Sequence, residues 1–216
     1  MGNFRKLDNP PITGYEFHVI QLEAKVCPHK LILPYLKETL EELKTREPEE
    51  KFPFRARVAL VGSEVDDPEF TKLIEMCGAM VVADRYCFGS FPSREQIEIK
   101  EGETAFDAIC RHYLYWNQCA RFMDGFKIDQ RRAIAAQLVE DFKADGIIYE
   151  NMKFCEFWSY EKVIANHISQ TKSTFLAALS RRSIPSAQSD SFVHVSRRSS
   201  NPWRSSPFRE VSNDVR

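Results

Sequence analysis

Glycine is scarce in this chain, with 8 in 216 residues, and no two stand close enough to form a G-x-G-x-x-G or a G-x-S-x-G. The first absence removes the dinucleotide-binding fingerprint, and the second removes the nucleophile elbow of a Ser-His-Asp hydrolase. No C-x-x-C pair occurs among the six cysteines, so the common zinc and dithiol signatures are missing. Long apolar runs are absent too: 57–62 and 79–83 are strand-sized, far below the roughly 20 residues that span a bilayer. A formal net charge of -1 gives no electrostatic case for nucleic acid or an anionic membrane. Residues 1–20 carry Asp8, Pro10, Pro11 and Glu16 where a secretory signal needs an unbroken apolar core, so the cytoplasm is expected. There, six cysteines favour metal, redox or buried thiols over disulfides.

What is present alternates. A buried-strand run at 57–62 leads to a helical pattern at 68–76, entered through Asp66, Asp67 and Pro68, acidic residues and a first-turn proline that suit a helix start. A second strand is expected at 79–83, helices at 104–115 and 127–143, a third strand at 146–149 and a helix at 159–167. The 127–143 helix would bury Ile128, Ile134, Leu138 and Phe142. This order implies an α/β fold, a Rossmann- or flavodoxin-like open parallel sheet. Ahead of it, 34–46 reads as an amphipathic helix with Leu36, Leu40 and Leu43 on one face, and 9–14 as a turn or linker. Three divisions follow: a linker and helical lead-in over 1–50, the α/β domain over 51–170, and a tail over 171–216. The tail holds 12 serines against 5 in all that precedes it, no glycine, and a charge of +5 against -6. Taken literally it is a disordered Ser/Arg-rich segment.

Open α/β sheets gather their chemistry just beyond the carboxyl ends of the strands. Cys155 follows the third strand at such a position, which suits a ligand or nucleophile as well as a small buried hydrophobe. Cys87, after the second strand, comes to the same edge. The turn from Gly62 to Pro68 offers backbone N–H groups to an anion or thioester oxygen, with Ser63 and Glu64 lining it, and equally reads as a capped helix start. Two thiols fall short of a complete cluster site, since a cubane takes four thiolates, or three with one position open. Cys77 and Cys110 look like packing, Cys119 lies in a loop with its role open, and the five scattered histidines receive no role. No catalytic residue is assigned.

The series Pro10-Pro11-Ile12-Thr13-Gly14-Tyr15, Val61-Gly62-Ser63-Glu64-Val65-Asp66-Asp67-Pro68-Glu69-Phe70, Gly78-Ala79-Met80-Val81-Val82-Ala83-Asp84 with Cys87 and Gly89, and Asp145-Gly146-Ile147-Ile148 to Lys153-Phe154-Cys155 resembles the benzoyl-CoA reductase / 2-hydroxyacyl-CoA dehydratase family. The resemblance covers roughly residues 10–168. It implies a subunit of an oxygen-sensitive, anaerobic enzyme working by single-electron chemistry on an acyl-CoA thioester. It also implies a 4Fe-4S cluster, a homologous second subunit, and ATP used only through a separate electron-donating activator. Cys155 corresponds to a cluster ligand, and Cys87 to a nearby thiol with a weaker claim. Family chains are about twice this length, and a preceding α/β domain brings the other two cysteine ligands. The expected part is therefore the C-terminal half, and the alternative is an inactive remnant or a non-catalytic α/β interaction domain.

The family also closes on a strand of the I-P-x-x-x-I-E type and a helix reading G-Q-L-R-T-R, neither of which follows Thr171. Reading each codon from its third base permits I-P-C-C-T-I-E-K-E-Y across 174–184 and G-Q-L-R-T-R-F-Q-A-F-V-E-S across 189–201. A frameshift near residues 169–173 is expected on that ground.

Overall fold

A computed structural model of the chain describes residues 1–48, 54–91, 95–115, 119–122, 124–171, 177–182 and 194–195. After a 3-10 helix at Gly2–Lys6 come α1 (Gly14–Val26), α2 (His29–Thr45), β1 (Ala56–Gly62), α3 (Pro68–Met76) and β2 (Ala79–Arg85). Then follow α4 (Ala105–Tyr115), α5 (Gly125–Asp141), β3 (Gly146–Met152), α6 (Glu156–Thr171), β4 (Ala177–Arg182) and β5 (His194–Val195). The sheet order is β2-β1-β3-β4-β5. β1 lies between β2 and β3, parallel to both, with Val58 opposite Val81 and Leu60 opposite Ile148.

Side chains alternate across a strand, so the apolar runs of β1 to β3 feed two separate cores, as expected for a parallel sheet covered on both faces. Val58, Leu60, Val81 and Ile148 pack with Phe70 and Ile74 of α3. Ala59, Val61, Val82, Ile147 and Tyr149 pack with Ala135 and Leu138 of α5, with Phe142 just beyond it and with Trp158 of α6. The open α/β architecture read from the sequence is the one observed. Of the four residues expected in the α5 core, Leu138 and Phe142 are buried, and Ile128 and Ile134 are half-buried.

Local chemistry sets the helix ends. The Asp67 carboxylate accepts the Glu69 N–H at 3.0 Å and Pro68 occupies the first turn of α3, a start that leaves no wasted donor. That helix stops at Gly78, whose φ of 90° lies in the left-handed region where a side chain would be strained. β3 runs three residues beyond the expected 149 because the polar Glu150 and Asn151 continue the ladder while buried. α6 begins at Glu156 rather than 159. α2 begins five residues before Pro34, which sits inside it. No helix among the described residues is long and apolar enough to cross a membrane.

Two departures stand out. The Asn9-to-Gly14 turn is followed by a helix, α1, that the sequence pattern did not announce. Thr13 caps it in a reciprocal capping box, its hydroxyl accepting the Glu16 N–H at 3.1 Å and Glu16 accepting the Thr13 N–H at 2.9 Å. Within the segment expected to be disordered, β4 pairs in parallel with β3 and β5 pairs antiparallel with β4. β4 opens on the apolar run Ala177-Ala178-Leu179 and satisfies the edge of β3, which would otherwise expose unpaired backbone groups. Residues 172–176, 183–193 and 196–216 lie outside the described residues, and with them the rest of the disordered-tail expectation.

The lead-in docks through buried polar contacts. Arg5 and Asp84, each 1% exposed, pair at 2.5 Å, and the guanidinium lies 3.7 Å from the centre of the Phe17 ring. Glu75 of α3 accepts the N–H groups of Gly14 at 2.8 Å, Tyr15 at 3.1 Å and Val81 at 3.2 Å, an anion at the start of α1. His18 is buried against the Val65 carbonyl at 3.0 Å and the Thr71 hydroxyl at 2.9 Å. A carbonyl only accepts, so Nε2 carries the hydrogen and Nδ1 accepts from Thr71. These contacts fix α1 to α3 and β2, directly behind the loop that carries Cys87.

Candidate functional site at the carboxyl edge of the sheet

Parallel pairing brings the ends of β1, β2 and β3 to one edge. β1 and β3 approach there so closely that a Cβ on Gly62 would stand 2.1 Å from the Glu150 carbonyl oxygen, so only glycine fits. The next residue, Ser63, is a buried hub. Its N–H donates to the Glu150 carbonyl at 3.3 Å and its hydroxyl donates to Glu150 Oε2 at 2.9 Å. The same hydroxyl accepts the Met152 N–H at 2.7 Å, and the Ser63 carbonyl accepts the Cys87 N–H at 3.4 Å. One serine thus locks the turns that follow three strands. Glu64 beside it is exposed.

Cys87 lies in the turn after β2. Lys25, reaching across from α1, donates to the Phe88 carbonyl at 2.7 Å and the Gly89 carbonyl at 2.5 Å, and Asp84 accepts the Ser90 N–H. Burial pushes the Lys25 ammonium down to about 8, against the opposing pull of Asp84 and Cys87. The Cys87 thiol is pushed up to about 11, first by desolvation and then by the nearby Cys119, Glu64 and Cys155.

Cys155 sits on the turn between β3 and α6. Its N–H donates to the Met152 carbonyl at 3.0 Å. Its carbonyl accepts the Ser159 N–H at 3.1 Å and the Ser159 hydroxyl at 3.0 Å, and that hydroxyl in turn accepts from the Asn151 amide at 2.7 Å. The preceding residue, Phe154, is 85% exposed and has a φ of 72°. A phenylalanine in the left-handed region costs about 1–2 kcal/mol, and such strain collects where a neighbouring group must be aimed. Trp158, the third residue of α6, is 4% exposed and its indole N–H has no hydrogen-bond partner among the described residues; Asn151 Oδ1, also in a residue 4% exposed, has none among them either. The Arg85 guanidinium stands 5.6 Å from the Trp158 ring.

The residue that the sequence left open is Cys119. Its loop is drawn in by Arg131 of α5, which donates to the Phe122 carbonyl at 2.6 Å and to Glu161 of α6 at 2.7 Å. Ala120, fully buried, joins the core cluster against which Cys155 packs. Cys119 and Cys155 both lie near enough to Cys87 to push its thiol pKa up, while Cys77 is at the end of α3 and Cys110 within α4. None of the six forms a disulfide.

A model of the family described as 2-hydroxyglutaryl-CoA dehydratase, D-component, matches residues 1–176. The chain belongs to that family. No curated protein matches it. Family membership makes the carboxyl edge, where the matched strands end, the place to test for a bound group. Among the described residues, no three His, Cys, Asp or Glu side chains converge tightly enough to hold a single metal ion. Cys87, Cys119 and Cys155 bring thiols, soft donors of the kind iron–sulfur clusters take, to the neighbourhood of Cys87 from three different loops. Ser63, expected to line a substrate pocket, has its hydroxyl engaged on both sides, whereas Glu64 stands exposed beside Cys87.

Proposed function

We propose that this chain is a subunit, as the C-terminal half of its family's chain, of a 2-hydroxyacyl-CoA dehydratase or benzoyl-CoA reductase acting on an acyl-CoA thioester. The family match over residues 1–176 carries the reading. In it, Cys155 is an iron ligand and Cys87 a second thiol at the cluster. A homologous second subunit and a separate ATP-dependent activator complete the system. The 4Fe-4S cluster, when bound, supplies single electrons at low potential. The chain's own residues hold and orient: Ser63 braces the turns of Cys87 and Cys155, and Lys25 clamps the Cys87 loop. Glu64 lines the approach that the thioester would use.

The match runs to residue 176, a few residues past the composition break at 171, and the reading of 174–184 and 189–201 in the shifted frame supports a frameshift near residues 169–173. The coding DNA tests it. Codons for Asp190 to Val195 that cannot be read as Q-L-R-T-R in the shifted frame remove the idea.

Anaerobic reconstitution with ferrous iron, sulfide and a small added thiol, which takes the ligand positions this chain does not fill, tests the functional reading. The expected product is a brown protein with about four irons per chain. A folded chain that stays colourless and iron-free overturns the reading in favour of a non-catalytic α/β interaction domain.

A further inference from the structure

We infer that Lys25 supplies the counter-charge for the cluster at the Cys87 turn, raising its reduction potential as well as holding the turn in place. The inference rests on the iron–sulfur reading above and deepens it, adding an electrical role to the bracing already described for this lead-in residue.

The turn is held from two sides. Gly89 donates its N–H to the Tyr86 carbonyl at 3.0 Å, closing a four-residue turn with Cys87 in second place, and the Cys87 N–H donates to the Ser63 carbonyl at 3.4 Å. From the other side, Lys25 Nζ crosses from α1 to the Phe88 carbonyl at 2.7 Å and the Gly89 carbonyl at 2.5 Å, the two residues that follow Cys87. Gln21 Oε1, one turn earlier on α1, accepts from the same ammonium at 3.4 Å. An ammonium has three hydrogens, so its hydrogen bonds are complete.

Its charge is not. All three acceptors are neutral, and among the described residues no carboxylate forms an ion pair with this half-buried side chain. Asp84, at the base of the same loop, is already paired with Arg5 at 2.5 Å. Taking a cation out of water is costly unless an anion answers it, and a clamp on two carbonyls needs only a donor, which a neutral amide also provides. The Cys87 turn is where an anion is due. A thiol loses its proton when its sulfur bonds to iron, and one-electron reduction of a cluster adds a further negative charge, which a fixed cation nearby favours. Net charge is among the quantities that set a cluster's potential. His18 and Glu75 fix α1 to α3, so the Lys25 charge stands on a rigid mount.

The test uses the full chain, reconstituted anaerobically with ferrous iron, sulfide and a small thiol, as wild type, Lys25→Gln, Lys25→Arg and Lys44→Met. Lys25→Gln keeps a donor for the turn and removes the charge, and Lys25→Arg keeps both. Lys44→Met removes an equal charge from the exposed Lys44–Glu41 pair of α2. Circular dichroism confirms folding, and the electron paramagnetic resonance signal of the reduced cluster, titrated with a titanium(III) reductant, gives the midpoint potential. At a fixed solution potential, Lys25→Gln should show a reduced-to-oxidised ratio about tenfold below wild type, a midpoint about 59 mV lower, with Lys25→Arg and Lys44→Met at the wild-type value. Should Lys25→Gln not fold, Lys25→Met, which keeps the apolar stem, is read in its place. Neutral variants that fold yet hold no iron, while Lys25→Arg holds it, also bear the inference out. A ratio in the neutral variant within about twofold of wild type overturns the inference and leaves the functional reading standing. A wild type that takes up no iron overturns both.

Discussion

Asp84 and Cys87 stand three residues apart at the end of β2 and face two differently built regions. Asp84 meets the lead-in, where the buried charges and the imidazole find partners, Arg5 for Asp84, three N–H groups for Glu75, a carbonyl and a hydroxyl for His18, and Arg5 Nε is the one buried side-chain atom of these residues without a hydrogen bond among the described residues. Cys87 meets the carboxyl edge. There Cys119 and Cys155 both raise the Cys87 thiol pKa, Trp158 and Asn151 keep buried atoms without partners among the described residues, and Phe154 holds a left-handed backbone. Satisfied polar burial serves rigidity, and unsatisfied burial with strain is the usual mark of a site. The difference makes the lead-in the side of β2 to probe for stability and the carboxyl edge the side to probe for chemistry.

The largest effect that can break this comparison is at Arg5. Arg5→Met leaves Asp84 buried without its cation and should cost about 3–5 kcal/mol in urea unfolding. A cost below about 1 kcal/mol would mean the lead-in docks by packing alone. Next is Phe154→Gly, which relieves the left-handed strain and should leave stability unchanged or raise it by up to about 1 kcal/mol, while lowering the iron retained after gel filtration. A clear loss of stability would make the exposed ring a packing element.

The smallest effect sharpens the lead-in side. Burial lowers the His18 pKa from its usual value near 6.5. The unfolded chain takes a proton near 6.5 while the folded chain resists it. Stability from the neutral ring is therefore present above about 6.5 and lost as pH falls through the lower folded value. Between pH 7.5 and 5, wild type should lose more unfolding free energy than His18→Gln. Parallel pH profiles would place the acid sensitivity elsewhere.

The sheet was legible in the sequence because strands buried on both faces leave continuous apolar runs, and α3 because Asp67 and Pro68 mark its start. α1 was hidden: its face toward α3 includes His18, whose burial depends on Val65 and Thr71, far along the chain. Cys155 and Cys87 could be placed since strand ends fix their edge. Cys119 could not. Its position depends on the Arg131–Glu161 pair, which joins residues 30 apart in two helices whose packing no local pattern states. The buried, unpaired Trp158 and Asn151 gave no signal either, because a sequence does not say which polar atoms will lack partners.

The central claim is that the carboxyl edge holds iron through Cys155. Iron per chain in anaerobically reconstituted wild type and Cys155→Ala, prepared side by side and matched for melting temperature, tests it most directly. About four irons in wild type and background iron in Cys155→Ala, at unchanged melting temperature, is the expected result. Equal iron in the two proteins would contradict it.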